Sequence, residues 1–426
     1  MAINQLQQKN ASIIFIVILF LIYPLYSQTN IAKIYFIGID KTEENYLRIF
    51  IKSTENTDYD SLQVERDIQS LHNLRLFSDV TVKITASEKG KIVEFHCPEL
   101  FTLLPIISFG GVSDNFWYQV GAMDYNLFGR GYTLGGYYRY YDRHSFAIFL
   151  KAPHLFDKHW GATVDFNKFS TLEPAHFSGG AVDYRVDRWN FTANIIYNFS
   201  IYNSFEFGGG YLLERYSKND FQQDISNLLP TFREFDKYLL KLMVRNDYIN
   251  YYYQYITGFA NDLNLESVTT GGYNDFFWKM LNISKIFFRP FVRGNFGIRL
   301  RLGVSTNKNS PFVPFVLDNY INVRGSGNRV SRGTAEITIN SEYRHTFWEH
   351  GLGAVQGVVF MDMSAWRPAA GHFSEMFEDK NNVTFGGLGV RFYFRKFYNF
   401  IIRVDYGVSI TGNKGRGMVF GAGQYF

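Results

Sequence analysis

The sequence predicts a mainly β protein, in which an antiparallel transmembrane β-barrel of about sixteen strands follows one small α+β domain. Three observations support this class. Phe, Tyr and Trp make up 19% of the 426 residues, yet the mean hydropathy is only −0.15. Segments of about ten residues with alternating apolar and polar side chains recur along most of the chain, separated by turn residues. A short apolar run near the N-terminus indicates export.

Residues 13–22 form this apolar run, and Tyr-Ser-Gln follows it at residues 26–28. We therefore assign residues 1–27 to a signal peptide with cleavage near Ser27. The alternative is an uncleaved anchor, which would need about 20 apolar residues to span a membrane. No later segment is apolar enough for a transmembrane helix, so a membrane location requires a closed barrel.

Residues 28–100 predict a small domain with the element order β-α-α-β-β. Residues 31–39 form a strand, Glu43 and Glu44 begin a short helix, and Asp60 caps a second helix. Two alternating strands follow, joined by a turn at residues 88–90. Cys97 is the only cysteine, so no internal disulfide can form, and its alternation with neighbouring apolar residues predicts a buried position.

Residues 101–426 predict the barrel. In residues 336–347, Ile337, Ile339 and Tyr343 share one face, whereas acidic, basic and amide side chains occupy the other. The same separation recurs in residues 356–364, 388–394 and 402–411. A soluble β-sandwich would also alternate, but an apolar face opposite a charged face on several strands favours a lipid-facing exterior and a polar lumen. We expect the last strand to span residues 418–426 and to end at Phe426.

Two groups of motifs point to one family. Residues 34–38, 71–80 and 93–95 resemble the most recognisable parts of a POTRA domain, the alternative being an unrelated α+β domain. Asn-Tyr-Ile-Asn-Val-Arg-Gly-Ser-Gly, at residues 319–327, precedes Glu-Tyr-Arg at 342–344 and Phe-Met-Asp-Met-Ser at 360–364. This order resembles the inward-folding loop and strands of the BamA/TamA and two-partner-secretion superfamily. Ser364 stands where that family usually has Gly, and residues 124–131 resemble its first periplasmic turn.

A buried guanidinium in a barrel requires a carboxylate partner. The alternation places Asp362 and Glu342 on the lumen face of neighbouring strands. We therefore predict an Arg324–Asp362 ion pair, with Glu342 as the second choice, that latches the Val323-Arg324-Gly325 tip inside the barrel. The alternative places Arg324 on a cell-surface loop.

The resemblance also implies a weak lateral seam between the first and last barrel strands. Pro105 cannot donate a ladder hydrogen bond, and Gly421 and Gly423 lie near Phe426 in the last strand. Pro105 has an equally plausible reading as the start of the barrel. For the small domain, the resemblance implies that an exposed edge strand binds unfolded clients by strand addition. The candidate edge comprises Val80, Thr81, Val82, Lys83 and Ile84, although an ordinary solvated edge is an equal alternative.

The sequence contains no recognisable catalytic, phosphate-binding or metal-binding motif, so we expect a non-enzyme without cofactors. It shows no basic stripe for nucleic acid. The resemblance implies a location in the bacterial outer membrane, with the POTRA domain in the periplasm and unfolded outer-membrane or secreted proteins as partners. Assembly or insertion of clients is the first hypothesis. A two-partner-type secretion pore and an accessory, structural barrel in an envelope complex are the alternatives.

Overall fold

The computed structural model describes residues 30–112, 115–141, 143–155, 158–177, 180–218, 232–271, 276–307, 314–327, 331–351, 353–412 and 415–426. The predicted signal peptide, residues 1–27, lies outside this described part of the chain. No helix among the described residues is both long enough and apolar enough to cross a membrane.

The N-terminal domain has the β-α-α-β-β order that the sequence predicts. Its elements are β1 (Ile31–Ile37), α1 (Glu44–Leu47), α2 (Ser61–Asn73), β2 (Thr81–Ser87) and β3 (Gly90–His96). Within this sheet β3 is central, with β1 parallel on one side and β2 antiparallel on the other. The Asp60 carboxylate caps α2 by accepting a hydrogen bond from the backbone N–H of Leu62. Both helices pack on one face of the sheet around a fully buried core that includes Leu47, Leu71 and Phe95.

The remaining strands, in chain order, are β4 (Leu103–Val112), β5 (Asn115–Leu127), β6 (Tyr132–Tyr141), β7 (Arg143–Ala152), β8 (Trp160–Phe177), β9 (Gly180–Asn198), β10 (Asn203–Lys218), β11 (Phe232–Tyr252), β12 (Tyr255–Thr270), β13 (Phe276–Phe291), β14 (Gly294–Ser305), β15 (Phe315–Leu317), β16 (Ser331–Gly333), β17 (Ala335–His350), β18 (Gly353–Arg367), β19 (Asn382–Phe394), β20 (Phe400–Ser409) and β21 (Arg416–Ala422). Sixteen of them close into one antiparallel barrel, which confirms the predicted fold class. β15 and β16 pair only with each other.

The alternation along the barrel strands separates two environments. On β17, Glu336, Thr338, Asn340 and Glu342 are buried in the lumen, whereas Ile339 points outward and is 39% exposed. Outward apolar side chains recur around the wall, and polar side chains fill the interior. Because a hydrocarbon environment favours the first arrangement and water the second, the pattern fits a barrel that crosses a membrane.

The small domain docks on one end of the barrel, which we call the proximal end; the opposite end is the distal end. Lys41 forms an ion pair with Asp124 at 2.8 Å, and the Thr42 hydroxyl accepts a hydrogen bond from the Asn126 amide. On the other side of the domain, Asn73 at the end of α2 accepts a hydrogen bond from the backbone N–H of Tyr251. The contacts therefore reach the β5–β6 and β11–β12 turns, which lie on separate parts of the barrel rim.

The barrel closes at a short seam between β4 and β21. Only three register pairs join these strands, from Phe109–Phe420 to Gly111–Met418, whereas every other barrel junction among the described residues has at least seven. The predicted last strand is too long at its end, because β21 stops at Ala422 and does not reach Phe426. Gly423 has a φ of +83°, and the residues after it leave the wall. Tyr425 and Phe426 enter the lumen, where Phe426 packs with Phe287.

Candidate functional site

The loop between β14 and β17 folds back into the barrel and carries the Val-Arg-Gly tip into the lumen. Val323 and Arg324 are both 0% exposed. Asp318 begins the buried turn by accepting hydrogen bonds from the backbone N–H groups of Tyr320 and Ile321. The alternative in which Arg324 lies on an exposed surface loop is therefore excluded.

Arg324 forms the predicted ion pair with Asp362 and also pairs with Glu342, the predicted second choice. Its Nε and Nη2 donate to the two Asp362 carboxylate oxygens at 2.8 and 2.9 Å, a bidentate arrangement. Its Nη1 donates to Glu342 Oε2 at 2.6 Å, and its backbone N–H donates to Asp362 Oδ2 at 3.0 Å. The ring of Phe360 lies 3.7 Å from the guanidinium carbon. These contacts hold the loop tip against β17 and β18, whereas a role as a movable latch stays a prediction.

A second layer of charges surrounds this pair. Arg344 donates from Nε to Glu342 Oε1 at 2.5 Å, and Arg391 forms an ion pair with Asp405 at 2.8 Å. Arg403 lies 3.3 Å from the other Asp405 oxygen. Removing one member of such a buried network leaves the opposite charge uncompensated, which is far more costly than losing an exposed pair. The network therefore favours one position of the loop.

The backbone of the loop tip also touches the wall directly. Gly325 has a φ of +91°, and a Cβ atom there would lie 2.6 Å from the carbonyl oxygen of Gly407 on β20. A Cβ at Gly407 would lie 2.4 Å from the carbonyl oxygen of Arg324. Two facing glycines thus permit a close backbone approach that any side chain would prevent.

The C-terminal residues form part of the same site. The Tyr425 ring lies 4.3 Å from the Arg324 guanidinium carbon, and its hydroxyl donates to the carbonyl of Asn319. Arg344 Nη2 donates to the Phe426 oxygen at 3.4 Å. Phe426, which the sequence places on the seam, therefore belongs to the lumen, because basic side chains and an apolar cluster hold the chain end there.

Of the other predicted seam residues, Pro105 and Gly421 lie in the strands where the sequence places them, whereas Gly423 follows the end of β21 and is not part of the strand. Pro105 pairs with Ala122 of β5 on one side. On its seam side, residues 103–108 of β4 have no strand partner among the described residues. Phe101 bridges to the β19–β20 turn just before this stretch. Gly421 is in β21 beneath the Arg403 guanidinium, and Gly423 is the point at which the chain turns inward.

The predicted client-binding edge belongs to an edge strand. β2 pairs only with β3 within the described sheet, so the other side of Thr81, Val82, Lys83 and Ile84 is unpaired. Thr81, Lys83 and Ile84 are exposed. Val80 precedes the strand and is buried in the domain core, so it is not part of the edge.

Sequence reasoning left several members of the site unassigned. Arg344, Arg391, Arg403 and Asp405 fall on the charged faces of the alternating segments, so their lumen orientation was accessible from the sequence. The sequence does not predict that these side chains pair with the loop, because that pairing depends on how the barrel closes. No feature of the sequence indicates that Tyr425 enters the lumen, because a strand that continues to the C-terminus and a chain end that turns inward would have the same composition.

The fold and site define a sixteen-stranded barrel whose lumen contains its own buried loop, with a small α+β domain at the proximal end. Comparison with protein-family models gave no match, and comparison with curated protein sequences gave none. Solved structures do share this fold. BamA from Haemophilus ducreyi lacking POTRA domains 1-3 superposes with a TM-score of 0.55 and 14% identity, covering 92% of this chain and 84% of that chain.

Two further similar structures are CdiB proteins. CdiB from Acinetobacter baumannii has a TM-score of 0.57 and 15% identity, covering 93% of this chain and 74% of that one. CdiB from Escherichia coli has a TM-score of 0.59 and 10% identity, covering 93% and 77%. The barrel fold that the resemblance implies is thereby confirmed.

Proposed function

We propose that this protein is an outer-membrane assembly or secretion transporter that acts without catalysis. Its small domain, which we assign as a periplasmic POTRA domain, receives unfolded client chains, and its barrel inserts or passes them. The fold shared with BamA and CdiB supports the general class. The outward apolar wall of the barrel supports a location in a membrane.

The seam between β4 and β21 is the observation that most supports the insertion of clients. Three register pairs hold β4 to β21, and the neighbouring stretch of β4 around Pro105 lacks a partner among the described residues. Backbone N–H and C=O groups that lack partners cost several kcal/mol each in hydrocarbon, so such an edge favours pairing with an incoming strand. Strand addition would satisfy the exposed groups while adding the client to the wall.

The small domain supplies a second edge. β2 offers Thr81, Lys83 and Ile84 on an unpaired side, and extended peptides bind such edges through backbone hydrogen bonds. The nearby barrel contacts of Lys41 and Asn73 keep this domain at the proximal end. A client held on β2 would therefore be close to the barrel before it reaches the seam or the lumen.

Site-specific photocrosslinking in living cells tests the proposal. Probes replace Thr81, Lys83 and Pro105, and the matched control probe replaces Val404, which lies on β20 and is paired on both sides. We expect the first three positions, and not Val404, to crosslink to unfolded client chains. Crosslinks to a barrel precursor support insertion, whereas crosslinks to one exported soluble protein support secretion.

Two outcomes contradict client handling. Probes at all three positions that capture only folded, stable neighbours favour the accessory, structural role. Equal crosslinking at Val404 shows that the captured chains reflect general membrane proximity instead of an open edge.

A further inference from the structure

The loop fills only one side of the lumen and leaves a cavity of about 430 Å³ in the distal half of the barrel. The cavity lies between residues 314–321 of the loop and the wall formed by β9 to β14. Its size falls in the range of about 300–1,000 Å³ that is usual for pockets that bind small organic ligands. None of the latch residues around Arg324 lines it, so it is a separate feature of the lumen.

Basic side chains dominate the polar part of the cavity. Five of them come from the barrel wall: Arg188, Lys237, Lys241, Lys279 and Arg301. Arg332 of β16 also lines it, and Phe315, Leu239 and Val268 add apolar surface. The cavity thus combines cationic groups with an apolar lining.

The wall cations outnumber the carboxylates that pair with them. Arg188 and Lys237 share Glu214, which is almost completely buried. Lys279 pairs with Glu266 at 2.8 Å, and Arg301 pairs with Glu336 at 2.8 Å. Five wall cations therefore face three carboxylates among the described residues. This leaves two positive charges without a matching carboxylate in a space enclosed by low-dielectric walls.

Lys241 is the clearest source of this excess. It lies opposite Glu266 in the β11–β12 register, but the Glu266 carboxylate is engaged by Lys279. Lys241 makes no ion pair of its own within the described part of the chain. Lys241 shares the negative charge of Glu266 with Lys279. A partly enclosed ammonium that has no carboxylate of its own attracts a mobile anion, because desolvating an incompletely compensated charge is costly.

We propose that this cavity is a binding site for a small organic oxyanion, a phosphate or carboxylate that carries an apolar group. Lys241 and its basic neighbours bind the oxygens, and Phe315, Leu239 and Val268 contact the apolar part. The site goes beyond the proposed client handling and does not use the seam, the β2 edge or the Arg324 network. It places a ligand-binding function at the distal end of the barrel.

Titration of the full-length protein in nanodiscs of neutral lipid tests this site, with phenyl phosphate as the probe. We expect saturable binding of phenyl phosphate that is tighter than that of inorganic phosphate or benzyl alcohol at matched ionic strength. Lys241→Gln should weaken binding by roughly tenfold, as expected for one charged hydrogen bond, whereas Lys241→Arg should preserve it.

Lys285→Gln is the matched control. Lys285 lies on β13 and faces the lumen like Lys279, but it is six residues nearer the proximal end and does not line the cavity. Its loss should leave binding unchanged. The proposal is overturned if the intact protein shows no saturable binding, or if Lys285→Gln and Lys241→Gln weaken binding equally. Neither result bears on the photocrosslinking of clients.

Discussion

At the scale of single residues, the lumen site depends on compensation of charge. Arg324 is completely buried and pairs with two carboxylates at once. Its removal therefore leaves Asp362 and Glu342 in the lumen without this compensating positive charge. We expect Arg324→Ala to lower the free energy of unfolding by about 3–5 kcal/mol, the usual cost of breaking a buried pair. Urea unfolding in lipid vesicles, followed by tryptophan fluorescence, measures this loss.

Arg215→Ala is the control for that substitution. Arg215 pairs with Glu234 on β11, and both side chains are about half exposed. Exposed pairs contribute only about 0–1 kcal/mol, so this variant should remain close to the unaltered protein. A similar small loss for Arg324→Ala would show that water reaches Asp362 and that the loop is not tightly held.

Gly325 tests the backbone contact independently of charge. In Gly325→Ala the new methyl group would approach the Gly407 carbonyl at 2.6 Å, so the loop tip must move away from β20. We expect faster proteolysis of the loop from the distal side in intact vesicles.

Gly415→Ala is matched to it, because Gly415 also has a positive φ of +96° but its Cβ would meet nothing within 4 Å. Gly415→Ala therefore introduces the strain of an alanine in the left-handed backbone region, but no steric contact with a neighbouring strand. Equal proteolysis of the two variants would assign the effect to backbone strain alone.

At the scale of elements, alternation in the sequence predicts the strands and their faces, because each barrel strand separates lipid from lumen over its whole length. Helix caps and apolar spacing predict the β-α-α-β-β order, and the family resemblance combined with the alternation predicts the buried Arg324–Asp362 pair. Alternation fails where a chain segment leaves regular structure. The inward turn at Gly423 depends on the contacts of Phe426 with Phe287 and Arg344, which come from distant strands. The prediction that Val80 belongs to the edge is wrong for a related reason, since residue patterning alone does not show where β2 begins.

The cysteine that follows β3 can report on the folding of the small domain. Cys97 follows it and is 0% exposed, and burial raises the pKa of its thiol to about 12. Because the thiolate is the reactive form, almost none exists at pH 8 in the folded domain. We expect negligible maleimide labelling of the native protein and rapid labelling in denaturant, measured by mass spectrometry.

Leu71→Ala provides a destabilised variant for the same experiment, because Leu71 is fully buried on α2 in the same core. Truncating it should cost about 2–5 kcal/mol and increase native-state labelling through more frequent opening. Fast labelling of the unaltered protein would instead show that the domain is open around β3.

At the scale of the whole molecule, the barrel wall is uneven. Strands β8 to β13 contain 16 to 21 residues, whereas β4 contains 10 and β21 only 7. β21, the shortest strand of the described barrel wall, forms the seam with β4. The chain end that could extend β21 is held in the lumen beside the loop. The same arrangement that packs the chain end beside the loop therefore shortens the seam. The junction between β4 and β21 therefore has the fewest register pairs of the described barrel wall.

A disulfide across this junction separates the two ways in which a client could cross the barrel. Phe109 and Phe420 are register partners whose rings stack at 4.0 Å, so cysteines at both positions in a Cys97→Ala background should form a disulfide. We expect the oxidised seam to stop client insertion and a reducing agent to restore it, measured as assembly of radiolabelled client barrels. Val359→Cys with Leu388→Cys, register partners on β18 and β19 that both face outward, provides a disulfide that should have no effect. Insertion that continues through an oxidised seam contradicts lateral passage, and secretion that continues through it assigns the path to the lumen.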